Sequence, residues 1–275
     1  MLKSLCTVSA SAILVLVAVA DATAEDRELT FHSGIEFAAA YTKQLDRGFR
    51  PIDMAMFTEK QTGRLAVLWA KRKLPEFHVQ VGIPVDEFQE KNSELRAKGF
   101  RMVRVAADRA GASLNYSGIW EKRDEPVHVR VGMATAQFET DAKQLFSAGS
   151  CPLHLTVSSV NGTGYYSCLW NIAGEPRCEL ERDLTQTQVT RAISKRAKDG
   201  FRILQVCGYA AGKTDRYACV WETSEGPKRE VTMRQTQTGL VRGLKRMQAK
   251  GLQPDRISVY PAGGHTRFAI VWEPE

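Results

Sequence analysis

GFRILQVCGYAAGKTDRYACVWE, residues 200–222, is the stretch whose reading decides the fold. A glycine ends a helix-like segment, two apolar runs flank a Gly-Lys-Thr turn, and a tryptophan with a short polar tail closes the stretch. The same outline recurs along the chain. All five tryptophans, Trp69, Trp120, Trp170, Trp221 and Trp272, lie on one lattice, at intervals of 51, 50, 51 and 51 residues. Gly48, Gly99, Gly149, Gly200 and Gly251 form a second lattice, each glycine 21 residues before its tryptophan. Two lattices in fixed phase mark five tandem repeats of about 50 residues.

Each repeat reads as strand, helix, strand, strand. The opening strand alternates, as in FHVQVG (77–82) and VHVRVG (127–132). A helix of three to four turns follows; Pro84 suits a first helical turn and Ser33 with Glu36 fits a capping box. The lattice glycine then closes the helix, because a left-handed cap needs a positive φ that glycine adopts without strain. A hairpin comes next, turning at Gln61-Thr62-Gly63, Asn161-Gly162-Thr163-Gly164, Gly212-Lys213 or Gly263-Gly264.

Counting by twos from the glycine assigns the hairpin faces. One face carries Ile52, Met54 and Met56 and their equivalents, with Leu68, Ile119, Leu169, Val220 and Val271 on the return strand, and is expected under the helices. The other carries the tryptophans and, four residues before each, Leu65, Tyr116, Tyr166, Tyr217 and Phe268. On this register Asp53, Arg104, His154, Gln205 and Arg256 stand opposite the tryptophans. A face of Trp69, Trp120, Trp170, Trp221, Trp272, Tyr116, Tyr166 and Tyr217 with those five varied polar residues is the candidate ligand-binding surface. Repeat arrays commonly bind through such surfaces. The alternative is that the rings wedge neighbouring units together.

The first 24 residues read as a signal peptide. Lys3 supplies a positive start, AILVLVAVA an apolar centre, and Ala22-Thr23-Ala24 a small-residue cleavage site. The expected divisions are 1–24 signal, then repeats at 25–75, 76–126, 127–176, 177–227 and 228–275, and the expected location is secreted or periplasmic. No later stretch is apolar enough to span a bilayer as a helix. The net charge of +7 is spread along the chain with no run of five like charges, so nucleic-acid binding is not expected. Export permits disulfides, and Cys207 with Cys219 are the favoured pair, since seven and nineteen residues after Gly200 would set them opposite across the hairpin. Cys151 with Cys178 is the second candidate, leaving Cys168 odd.

The Gly-Phe-Arg to Trp-Glu hairpin, clearest at Gly99-Phe100-Arg101 to Trp120-Glu121 and at Gly200-Phe201-Arg202 to Trp221-Glu222, resembles the bacterial tandem repeat domain. Those repeats occur in the N-terminal region of polyglycine hydrolases. The third and fifth units depart from it at Gly149-Ser150-Cys151 and Gly251-Leu252-Gln253. The resemblance implies α/β repeats building a curved sheet with helices on its outer side, accompanied in that family by a serine hydrolase domain. No Ser-x-x-Lys motif occurs in residues 25–275, so the resemblance transfers no activity. The expected fold is α+β: five β-α-β-β repeats in one curved, largely antiparallel sheet, an open arc or a closed ring, with helices on the outer face.

No coherent nucleophile, base and orienting set is present, and neither Cys-x-x-Cys nor His-Glu-x-x-His spacing occurs. Gly212-Lys213-Thr214 lacks the upstream glycine of a phosphate loop. No catalytic residue, cofactor or metal is therefore expected. Two functional readings stand: an exported, non-catalytic scaffold of the bacterial envelope binding a protein, peptide or glycan, and an exported hydrolase with an unrecognised active site.

Overall fold

The computed structural model describes residues 27–275 except 72–74, 111–112, 161–162, 173–175 and 213. The expected signal segment, the Asn161-Gly162 part of one turn and Lys213 of another lie outside the described residues. The five units follow one plan. They are β1 (Arg27–Ser33), α1 (Gly34–Asp46), β2 (Arg50–Glu59) and β3 (Thr62–Ala70); β4 (Phe77–Pro84), α2 (Val85–Ala97), β5 (Phe100–Ala110) and β6 (Ser113–Lys122); and β7 (Val127–Ala134), α3 (Thr135–Ser147), β8 (Pro152–Val160) and β9 (Thr163–Asn171). Then come β10 (Cys178–Leu184), α4 (Gln186–Lys198), β11 (Arg202–Ala211) and β12 (Thr214–Glu222), and finally β13 (Glu230–Gln235), α5 (Gln237–Gln248), β14 (Leu252–Ala262) and β15 (His265–Pro274).

Local chemistry explains the plan. The lattice glycines all sit at positive φ, between 71° and 85°, where any β-carbon would be strained. Ser33 and Glu36 form the expected capping box, the Ser33 N–H donating to Glu36 Oε2 at 2.8 Å. Pro84 is the residue just before α2 rather than within its first turn.

The single curved sheet is not formed. Each unit builds its own three-stranded antiparallel sheet, with the return strand central, the opening strand on one edge and the second strand on the other. The sheets are linked by packing. β2, β5, β8, β11 and β14 touch in sequence, and β14 also touches β2, so the units follow a cyclic order with their second strands innermost.

Every second strand carries a bulge at the same place. The register with the return strand slips by one between Pro51 and Asp53, Met102 and Arg104, Pro152 and His154, Ile203 and Gln205, and Pro254 and Arg256. Counting by twos from the glycine therefore fails beyond the bulge. Met54 and Met56 lie opposite Val67 and Leu65, on the tryptophan face, whereas Asp53 lies opposite Leu68 on the other.

The tryptophan face, not the Leu68 face, lies under the unit's own helix. Phe37 of α1 stacks on Trp69 at 6.2 Å, and Phe88 and Phe138 meet Trp120 and Trp170. The Leu68-type face of the following unit covers the rest. Each hydrophobic core is thus shared by two units. Trp69 and Val67 pack with Ala106 and Ile119 of unit two, and Trp221 and Cys219 with Ala269 and Val271 of unit five. Trp272 and Ile270 pack with Ile52 and Leu68 of unit one.

The cysteines follow the bulge as well. Cys207 lies opposite Ala218 and Cys219 opposite Val206, so they point to opposite faces and do not bond. The disulfide is Cys151–Cys178, with Cα atoms 5.5 Å apart, joining unit three to unit four. Cys168, Cys207 and Cys219 are free and buried.

All five tryptophans are at most 1 % exposed. Native fluorescence should therefore be blue-shifted and weakly quenched by acrylamide, turning red-shifted and quenchable in denaturant. Native emission like that of the denatured chain would contradict this packing.

Candidate functional site

The polar residues predicted to face a ligand are gathered, but elsewhere. Asp53, Arg104, His154, Gln205 and Arg256 each follow the bulge of a second strand, so all five project to where the inner strands converge. Asp53, His154 and Gln205 are at most 2 % exposed. The tryptophans and Tyr116, Tyr166 and Tyr217 lie apart from this hub, in the cores between units. Tyr217 hydroxyl shares a 2.7 Å hydrogen bond with that of Tyr260 in the next unit, and Tyr166 packs on Tyr209. None of these rings forms an exposed binding face. They wedge neighbours together.

The hub residues satisfy a specific need. A second strand is an edge strand, and its inward N–H and C=O groups have no further strand to bond. The following unit supplies side chains instead. Gln205 Oε1 accepts from the Leu155 N–H at 2.8 Å, and its amide nitrogen donates to Leu155 O at 2.7 Å. His154 Nδ1 accepts from the Val105 N–H at 3.5 Å, and Asp53 Oδ2 accepts from the Ile257 N–H at 2.9 Å. Arg104 has no acceptor to offer unit one. Asp53 Oδ1 takes over, accepting from its own neighbour, the Met54 N–H, at 3.0 Å.

Electrostatics complete the arrangement. His154 Nε2 donates to Asp53 Oδ1 at 3.2 Å, and Arg104 Nε lies 3.4 Å from the same oxygen. Burial opposes charge on Asp53, yet the His154 hydrogen bond and the charges of Arg104 and Arg256 outweigh it and hold the carboxyl below its usual range. Burial lowers the His154 pKa despite Asp53. The imidazole is neutral, with Nδ1 accepting and the Nε2 proton on Asp53. Arg104 is brought down to about 10 by burial and by Arg256. Around this hub, Arg229 reaches Glu222, Asp255 and Glu273 at 3.2–3.5 Å, and Arg27 reaches Glu273 at 2.6 Å across the seam between units one and five.

The hub is buried, but one end of it opens. Where the second strands run into their hairpin turns, a cleft of about 690 Å³ is lined by residues of units one, two, three and five. Thr58, Asp108, Arg109, Asn115, Ser159 and Tyr260 contribute, with Phe57 and Pro261 as apolar wall. Thr58 donates to Asp108 Oδ2 at 2.7 Å, and burial raises the Asp108 pKa against that bond. The sequence reading missed these residues. Their signal is position: Thr58, Ser159 and Pro261 each stand five residues beyond the hub residue of their own unit.

Replacing Asp53 with Ala strands Arg104 in the hub without its carboxylate and leaves the Ile257 N–H without its acceptor, and should cost about 3–5 kcal/mol in denaturant unfolding. A loss below about 1 kcal/mol would mean that the hub is not held by this charge. The His154 shift sets a pH dependence. The unfolded chain takes up a proton near the ordinary pKa of 6.5 that the folded chain refuses, so stability should fall as pH drops below about that value. His32, lowered to about 4 mainly by burial, adds to the same slope. His154→Gln, which keeps the donor to Asp53 but cannot take the proton, should flatten part of the slope in thermal melts from pH 8 to 5. An unchanged slope would refute the assignment.

No curated protein matches the chain. A family described as polyglycine hydrolase-like, structural repeat, matches residues 74–123, 125–172, 176–224 and 232–275. Those spans hold units two to five, and unit one repeats the same β-α-β-β plan without a match. On this match over most of its length, the chain belongs to the polyglycine hydrolase-like structural repeat family.

Proposed function

We propose that the protein is an exported, non-catalytic scaffold that holds an extended peptide or glycan segment of a partner at the hairpin-tip end of its hub. The observation that carries this reading is the cleft of about 690 Å³, which combines apolar wall with hydroxyl, amide, carboxyl and guanidinium groups. A rigid base also supports it, since the hub below the cleft is fixed by buried hydrogen bonds between units. The free thiols are withdrawn from nucleophilic chemistry: Cys168, Cys207 and Cys219 are buried and pushed up by that burial, with Cys207 also donating to Leu155 O. The signal-like N-terminus supports export.

Thr266→Trp should block the cleft without touching the hub. In screens of the purified protein against peptide and glycan arrays, ligands retained by the wild type should be lost by this variant at unchanged melting temperature. Retention of all of them would place binding elsewhere.

A further inference from the structure

The five helices share a fold position but not a charge. α2 carries Asp86, Glu87, Glu90 and Glu94 against Lys91 and Arg96. α4 carries Arg191, Lys195, Arg196 and Lys198 and no acid, and α5 carries Arg242, Lys245 and Arg246 and no acid. Charge that looks scattered along the sequence is therefore segregated in the fold, onto the helices of two consecutive units.

Most of these cations are free. Arg196 is held by Glu179 and Glu181. Among the described residues, Arg191, Lys195, Lys198, Arg242, Lys245 and Arg246 have no ion pair, and all six are exposed. Two further acids of these units have other partners: Asp215 pairs with Arg234, and Glu230 lies 3.8 Å from Lys250. Asp199, just past α4, is the exception, and it faces Arg196.

We infer that the solvent faces of α4 and α5 form a binding surface for a linear anionic polysaccharide. Spacing favours a linear polymer. Arg191, Lys195 and Lys198 stand at i, i+4 and i+7, and Arg242 and Arg246 at i and i+4, so charges recur along each helix about every 5–6 Å. That interval is comparable to the length of one sugar ring, so a polymer with one carboxylate or sulfate per ring meets a cation at each step. A lipid surface fits less well. The apolar sides of both helices are spent inside the protein, with Val189, Leu240 and Met247 buried, and the large exposed hydrophobic residue among the described ones, Ile172, belongs to unit three. Single-stranded nucleic acid fits less well too, since neither helix carries an aromatic residue on which a base could stack.

The surface lies apart from the hairpin-tip cleft, and its test is independent of that site. The probe is a polygalacturonate oligosaccharide, with duplex DNA and anionic lipid vesicles alongside, and binding is read by a fluorescent label. The wild type should bind the oligosaccharide and lose it as salt rises to about 0.5 M. The variant Lys195→Glu/Arg242→Glu/Arg246→Glu should bind about tenfold or more weakly, while Lys43→Glu/Lys71→Glu/Lys143→Glu, with the same net charge, should bind as the wild type does. Both variants should keep the wild-type melting temperature. Equal losses in the two variants would show that net charge alone acts and would overturn the proposal. Tighter binding of DNA or vesicles than of the oligosaccharide, lost in the first variant, would overturn it as well. So would self-association of the wild type that the first variant abolishes.

Discussion

Five strand edges that meet without joining are the constraint behind this fold. A sheet that continued from unit to unit would satisfy its backbone by itself. Here each sheet stops at three strands and turns its second strand inward, leaving a row of N–H and C=O groups near the centre where no strand follows. Side chains of the next unit answer them. Besides the hub residues, Ser158 donates to Ala107 O at 2.7 Å, and Ser258 accepts from the Gly208 N–H at 3.1 Å. The bulge makes this possible, because it turns one residue per unit away from the tryptophan side and toward its predecessor's exposed backbone.

The apolar half of the structure obeys the same logic. A single β-α-β-β unit has one sheet face beneath its helix and another face bare. The bare face finds cover only on the tryptophan side of the unit before it, so every core belongs to two units. Unit one would be left uncovered were it not for unit five. Arg27 with Glu273, and Asp53 with the Ile257 N–H, join first to last as Arg229 with Glu222 and Gln205 with the Leu155 N–H join other neighbours.

Much of this was legible in the sequence, and the boundary of legibility is physical. The tryptophan and glycine lattices state the repeat, its helix end and its hairpin, because they record local backbone requirements that recur at fixed spacing. The bulge leaves no such mark. Its extra residues are Ile52, Val103, Leu153, Leu204 and Asp255, four of them ordinary strand residues, and no turn signal announces the slip. One unseen residue per strand exchanged the two faces beyond it. Counting by twos sets Asp53, Arg104, His154, Gln205 and Arg256 opposite the tryptophans and Cys207 opposite Cys219, whereas the bulge carries all five polar residues to the other face and leaves the two thiols on opposite faces. The cleft at the hairpin ends was illegible for another reason: it exists only between units, and no single repeat contains its outline.

The hub also gives the five units an identity that their shared lattice does not. Aspartate, arginine, histidine, glutamine and arginine occupy equivalent positions, yet Asp53, His154 and Gln205 each answer a particular predecessor, and Arg104 and Arg256 set charge beside Asp53 and Asp255. Asp53 must lie within reach of Arg104 and His154 while bonding the backbone beside Arg256, and Gln205 serves both polar groups of Leu155. Repeats built on one plan are thereby parts of a keyed lock. Exchanging two of them would preserve every tryptophan and every glycine and still leave buried charge facing the wrong backbone, so the order of the units is itself encoded, at five positions near the axis.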